Sequence, residues 1–187
     1  MSGVTPPPEQ IDTQRVYDGR IVRVDVDRVR APDGSEMRLE IVRHRGAAAI
    51  VPLLSEPDAE DPSVLLIKQY RYATGGTIWE IPAGVLEPGE EPRECARREL
   101  REEVGADAAE FEHLTTIYTT PGFTDERIHI FLAMGLTVGE TQHETDEFIE
   151  VEALPISRIL EMIRDGELVD SKSVSALLYV AGFRLGM

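Results

Sequence analysis

Between Gly84 and Ala106 the chain runs GVLEPGEEPRECARRELREEVGA. The residues there that could do chemistry are the carboxylates of its second half, where Arg98, Glu99, Leu100, Arg101, Glu102 and Glu103 follow one another. Pro92 suits a first helical turn, since its missing N–H would lack a partner there anyway, and Gly105 suits the C-terminal stop. On a helix bounded by these two residues, Ala96, Leu100 and Val104 form one stripe facing a core, while Glu99, Glu102 and Glu103 share an adjacent arc of about 100°. The like-charged pair Glu99 and Glu103, one turn apart, destabilises an isolated helix by about a few tenths of a kcal/mol, so an offsetting cation is expected. A hard divalent ion suits carboxylate oxygens and leaves other positions to water and substrate phosphates; Mg²⁺ is expected, with Mn²⁺ as the alternative. Glu90, from the turn, is placed to join them. The competing reading is a solvated acidic helix steadied by Glu94 and Arg98 at i,i+4.

The spacing decides between the two. Gly84, five residues, Glu90, seven residues, Arg98-Glu99-Leu100, one residue, Glu102-Glu103, one residue and Gly105 resemble the Nudix box at every defining position but the last, where Ala106 stands for a larger aliphatic residue. This resemblance implies an α/β fold, a Nudix α/β/α sandwich with a mixed β-sheet, and metal-dependent hydrolysis of a nucleoside diphosphate linked to another moiety. It also implies Glu99, Glu102 and Glu103 as metal ligands, with Glu103 and Glu102 in catalysis as well, and the main-chain carbonyl of Ala83 as a further ligand. Arg98 is expected to orient the glutamates rather than to touch substrate.

Two stretches outside the box narrow the substrate. Gln69-Tyr70-Arg71 and Glu80-Ile81-Pro82-Ala83-Gly84 resemble segments of the ADP-ribose and ADP-sugar pyrophosphatase branch. Arg71, at the end of an apolar strand, is placed either to meet a diphosphate oxygen or to pair with Glu80, which is itself a candidate for substrate binding. Pro121 lies sixteen residues beyond Gly105, the place of a proline associated with the ADP-ribose branch. With Gly122 it forms either an ordinary turn or a wall for the terminal ribose, to which Thr120, Thr124 and Glu126 offer polar atoms. Longer members of the family take a catalytic glutamate from a late loop, here Glu140 to Phe148. Glu147 matches a supplementary metal ligand, but Thr145 stands at the usual base position, so the base is either Glu144 or Glu103. His44, His113, His129 and His143 show no zinc spacing.

The rest of the chain must position these groups. At 187 residues and 42% hydrophobic it is long enough for one domain with a full core and a small appendage. A net charge of −16 disfavours nucleic acid, which needs a basic footprint, but not a small phosphorylated substrate served by cations. The single cysteine, Cys95, reads as packing. Residues 1–12 read as a flexible tail, and no apolar run is long enough to span a bilayer, so a cytoplasmic protein is expected. Residues 13–43 read as an N-terminal antiparallel β-hairpin extension: 20–30 and 37–43 pair across the Pro32-Asp33-Gly34 turn, and Thr13 to Tyr17 is available as a third strand. Residues 44–187 would form the Nudix domain, with strands at 47–54, 64–70, 77–81, 111–118, 127–134 and 148–153, the box helix, and helices at 156–164 and 171–183.

The expected activity is hydrolysis of the diphosphate bond of ADP-ribose to AMP and ribose 5-phosphate. The alternatives are a GDP-mannose or ADP-glucose diphosphatase and a non-hydrolytic ADP-ribose or nucleotide sensor on the same fold. Val22, Val24, Val26, Met37, Leu39 and Ile41 would give the hairpin one apolar face, and a two-stranded ribbon is marginal alone in water. A homodimer with exchanged N-terminal segments is therefore expected, in which Arg43 and Arg45 serve a neighbouring diphosphate or adenine; the alternative is a hairpin folded back on its own core.

Overall fold

A computed structural model describes residues 9–139 and 149–187. Residues 1–8 and 140–148, and with them Glu144, Thr145 and Glu147, lie outside the described residues. The chain forms two compact units, one of residues 1–45 with 118–127 and one of 46–117 with 128–187.

The first unit is a sheet of β1 (Glu9–Asp18), β2 (Arg23–Arg30) and β3 (Glu36–Arg43), antiparallel in the order β1-β2-β3. Residues 9–12 belong to β1 rather than to the tail expected from sequence. They carry no apolar alternation, and what marks them as a strand is their ladder with β2, beside which Asp12 pairs with Arg28 at 2.7 Å and Glu9 with Arg30 at 3.2 Å. The expected single apolar face does not form. Register sets Val24 opposite Val42 and Val26 opposite Glu40, while Ile41 faces Asp25, Leu39 faces Asp27 and Met37 faces Val29. Opposed residues share a face, so the β2 valines 24 and 26 lie on one side and Met37, Leu39 and Ile41 on the other. Alternation fixes which residues of one strand go together; the parity of the connecting turn fixes which face of its neighbour joins them. Here the turn is closed by Gly34 (φ 88°), whose N–H reaches the Ala31 carbonyl at 2.9 Å, and by Asp33, which accepts from the Ser35 N–H and hydroxyl.

Among the described residues the second unit holds two sheets and three α-helices. Its elements are β4 (Ala47–Pro52), β5 (Ser63–Arg71), β6 (Gly76–Glu80), β7 (Ala83–Val85), α1 (Pro92–Val104), β8 (Ala106–Tyr118), β9 (Arg127–Val138), β10 (Ile149–Pro155), α2 (Ile156–Arg164) and α3 (Ser171–Phe183). One sheet runs β7-β4-β9-β8, with β4 parallel to β9 and antiparallel to β7; the other, β10-β5-β6, is antiparallel. Every residue of β4 is buried, as a strand covered on both faces requires. Ala47, Ala49 and Val51 join a core with Ile156, Ile159, Met162, Leu177 and Val180 of α2 and α3. Ala48 and Ile50 join a second core with Cys95, Ala96, Leu100 and Val104 of α1. Helices thus cover both faces, and the unit is the expected α/β/α sandwich with a mixed sheet. α1 is anchored by a narrow stripe in which Leu100, fully buried, contributes about 1.5–3 kcal/mol. Two features escape a pattern reading: β7 is only three residues long, and β8 begins at Ala106 in a stretch, ADAAE, without period-2 alternation. Among the described residues no helix is long and apolar enough to cross a membrane.

Candidate functional site

Strand β7 leads through residues 86–91 into α1, whose N1 residue is Pro92 and whose C-cap Gly105 (φ 68°) returns its N–H to the carbonyls of Arg101 and Leu100. Glu99 and Glu103, one turn apart, are 8% and 3% exposed. Both lie against β7. Glu103 Oε2 accepts the Ala83 N–H at 2.9 Å. The Glu99 carboxylate occupies the place a side chain would take at Gly84: a Cβ built there would meet Oε1 at 1.7 Å and Cδ at 2.0 Å. A side chain at 84 and the present position of the Glu99 carboxylate exclude one another.

Glu102 is turned elsewhere, toward Arg98. That guanidinium is the hub of the acidic cluster: Nη1 donates to Glu99 Oε1 at 2.6 Å and Glu102 Oε2 at 3.0 Å, and Nε and Nη2 fork onto Glu90 at 3.0 and 3.1 Å. The hydrogen bonds from Arg98 hold the Glu90 carboxyl below its ordinary range, and those acids in turn raise Arg98 above the ordinary arginine value. The negative charge that pointed to a cation is thus met in part within the chain, by the bonds of Arg98 to Glu90, Glu99 and Glu102. Cys95 is buried, with its thiol pushed up to about 12 by burial and by Glu99 and Glu90, which suits packing and not nucleophilic attack.

Among the described residues no three Asp, Glu, His or Cys side chains are gathered into a metal-holding group. The pair Glu99 and Glu103 nevertheless fits a divalent ion by its chemistry. Two buried carboxylates on one helix face, seated on the backbone of Ala83 and Gly84, are hard donors that leave other coordination positions open to water and phosphate.

Arg71 makes the pair that sequence left as its alternative. Its Nε and Nη2 donate to Glu80 Oε1 and Oε2 at 2.8 and 2.9 Å. Glu80 is 2% exposed; burial alone would raise its carboxyl, but the Arg71 bonds and the charge of Lys172 outweigh it and hold it below its ordinary range. Lys172, Asp170 and Ser173, at the start of α3, complete this group and were not singled out by sequence. Asp170 caps α3 by accepting the Ser173 N–H at 3.0 Å and also takes Lys172 Nζ at 3.0 Å. Ser173 Oγ accepts the buried Ile81 N–H at 2.8 Å. The only trace of this in the sequence is Asp170 as an N-cap three residues before Ser173.

In the first unit, Arg43 is engaged by three carboxylates: Asp25 at 3.0 Å, Asp27, and Asp125 at 3.3 Å. Arg15 joins from β1 by pairing with Asp25. This explains why Asp25 and Asp27, acids that alternate with Val24 and Val26 along β2, are each 6% exposed. The Pro121-Gly122 turn belongs to the same unit and is stitched to the end of β3. The Val42 N–H reaches the Phe123 carbonyl at 2.8 Å, Thr124 Oγ1 donates to the Val42 carbonyl at 3.0 Å, and Asp125 Oδ1 accepts the His44 N–H at 2.8 Å. Thr124 and Glu126, offered above as ribose contacts, serve this internal bonding, Glu126 accepting from Thr119 Oγ1 at 2.8 Å. Pro121, Gly122 and Arg45 are exposed.

Residues 43–177 match the family model of the NUDIX domain. The chain belongs to the Nudix family. This Nudix protein is 39% identical to a methanol dehydrogenase activator of Bacillus methanolicus, over 91% of its own length and 90% of that chain. It is 38% identical to an ADP-ribose pyrophosphatase of Bacillus subtilis (strain 168), again over 91% of its length and 90% of the relative's. A crystal structure of an ADP compounds hydrolase superposes with a TM-score of 0.83, covering 99% of this chain and 98% of that one at 24% identity, a likeness of fold.

Proposed function

We propose that this Nudix-family hydrolase splits the diphosphate of ADP-ribose into AMP and ribose 5-phosphate with a divalent ion, Mg²⁺ preferred and Mn²⁺ able to replace it. The observation that carries the reading is the buried pair Glu99 and Glu103 seated on Ala83-Gly84. These two, with the Ala83 carbonyl, Glu102 and Glu147, would hold the metal. When bound, it supplies neutralisation of diphosphate charge and a lowered pKa for a coordinated water. Arg71, held by Glu80 along one edge, turns its remaining edge to a diphosphate oxygen, and Glu144 or Glu103 takes the proton of the attacking water. The likeness to an ADP-ribose pyrophosphatase over most of the chain supports the substrate. The deciding experiment is a substrate panel of ADP-ribose, ADP-glucose and GDP-mannose at saturating Mg²⁺ with product identification. ADP-ribose giving AMP as the best substrate is the expected result; binding without turnover of any of the three would replace the hydrolase by a sensor.

The late loop separates two roles. Glu147→Gln is expected to raise the Mg²⁺ concentration needed for half-maximal rate, because it removes an auxiliary ligand, whereas Glu144→Gln lowers kcat at every Mg²⁺ level if Glu144 is the base. Mg²⁺ titrations of both variants decide; identical profiles would withdraw both assignments.

We further propose a homodimer in which the N-terminal segment packs on the other subunit. Its support is the exposed apolar set Val16, Tyr17, Ile21, Val22 and Met37, 41% to 71% exposed. Light scattering should find a dimer for the intact chain, and a chain starting at Arg45 should lose both dimerisation and ADP-ribose affinity. A monomeric intact protein refutes the exchange.

A further inference from the structure

Lys172 has no place in the proposed reaction, yet it is among the most enclosed cations of the molecule. Its side chain is 11% exposed and its ammonium binds two carboxylates, Glu80 and Asp170. Asp170 is already served by the start of α3, where the Ser173 N–H and hydroxyl both donate to it. Glu80, by contrast, has only two partners in this group, Lys172 and the Arg71 fork, and is buried to 2% exposure. Without a second cation, Glu80 would neutralise Arg71 in a closed, bidentate pair, and that pair would have little attraction left for an anion. With Lys172 sharing the carboxylate, Glu80 divides its charge between two cations, and Nη1 of Arg71, the terminal nitrogen, lies outside the fork.

The same turn of α3 also fixes where this happens. Ser173 Oγ accepts the Ile81 N–H at 2.8 Å, so Glu80 and Ile81 are gripped by successive residues of one helix start, directly before Pro82 and Ala83. From this geometry we infer that Lys172 is a positioning residue for diphosphate binding, acting through Glu80 on Arg71. It touches no substrate itself. The inference rests on the diphosphatase reading of the site, deepening it by naming what tunes its arginine.

The test compares Lys172→Met, Lys172→Arg and Arg71→Ala in the full chain, singly and with Lys172→Met combined with Arg71→Ala. Two probes are used: the Kd of inorganic diphosphate by calorimetry, and ADP-ribose turnover with Mg²⁺. Lys172→Met is expected to weaken diphosphate binding and raise KM by about tenfold, with kcat lowered far less, as loss of a charge-assisted contact does. Lys172→Arg should restore most of both. In the Arg71→Ala background Lys172→Met should add less than about twofold, since residues acting in one chain of contacts are not additive. A Kd and KM within about twofold of wild type in Lys172→Met, or the full loss repeated on top of Arg71→Ala, overturns the inference. If Lys172→Met fails to fold, Lys172→Arg is combined with Arg71→Lys; binding equal to wild type in that pair, in which the fork is lost, likewise overturns it. A wild-type protein that binds diphosphate but does not hydrolyse ADP-ribose sinks the hydrolase reading and leaves the Lys172 test standing on Kd alone.

Discussion

Glu103→Gln lowers kcat by about 10³-fold or more at saturating Mg²⁺ while leaving the fold in place. The two halves of this expectation come from the same contact. Glu103 is 3% exposed and accepts the Ala83 N–H at 2.9 Å through Oε2. The amide oxygen of glutamine can accept that hydrogen bond with the same side-chain length, so the link between α1 and β7 survives and Tm should move by no more than about a few degrees. What the amide cannot supply is the charge. On the proposed reading Glu103 is a carboxylate ligand where phosphoryl charge develops, and losing such an interaction, made mainly in the transition state, lowers kcat and changes KM little. A variant with near wild-type kcat would remove Glu103 from the metal site. One that loses activity only together with a large drop in Tm would make it a structural residue.

The parts of the molecule legible from sequence are those in which one local rule suffices. The bounds of α1 follow from Pro92 and Gly105, and those of α2 and α3 match the expected 156–164 and 171–183. That β4 is covered on both faces follows from its uninterrupted apolar run, whereas the sandwich itself is what the resemblance of the box implied. What sequence could not give depends on pairing between distant residues. The sidedness of the N-terminal sheet turns on the parity of a single turn, and a shift of one residue moves Met37, Leu39 and Ile41 to the other face. Asp25 and Asp27 are covered because Arg43 and Arg15 reach them from neighbouring strands, and alternation alone assigns such acids to solvent. In the box, the helical wheel places Glu102 beside Glu99 and Glu103, but the wheel does not know of β7, on which Glu99 and Glu103 settle while Glu102 stays half-exposed on Arg98. Lys172 was invisible for a similar reason, lying 92 residues from the Glu80 that it neutralises.

Gly84→Ala should lower kcat/KM for ADP-ribose by about 10²-fold, although the change is a single methyl group on a residue that carries no chemistry. The space is already taken, since the added Cβ would lie 1.7 Å from Glu99 Oε1 and 2.6 Å from Oε2. The backbone at 84 is paired with Ala48 in the β4–β7 ladder, and its carbonyl accepts from Cys95 Sγ at 3.5 Å, so the strand resists moving. The Glu99 side chain yields instead, because its carboxylate is the far end of three rotatable bonds. Relief therefore costs the fold little and Tm falls by no more than about a few degrees, but the carboxylate is displaced by more than the roughly 1 Å that already costs about 10² in rate. Arg98, whose Nη1 binds the same oxygen at 2.6 Å, is carried with it or loses that bond, so the Mg²⁺ requirement should rise as well. Gly76→Ala is the control: a Cβ there meets nothing within 4 Å, and it should leave both rate and Mg²⁺ dependence unchanged. A Gly84→Ala protein within about threefold of wild type in kcat/KM would mean that the placement of Glu99 on the glycine is not what the reaction uses.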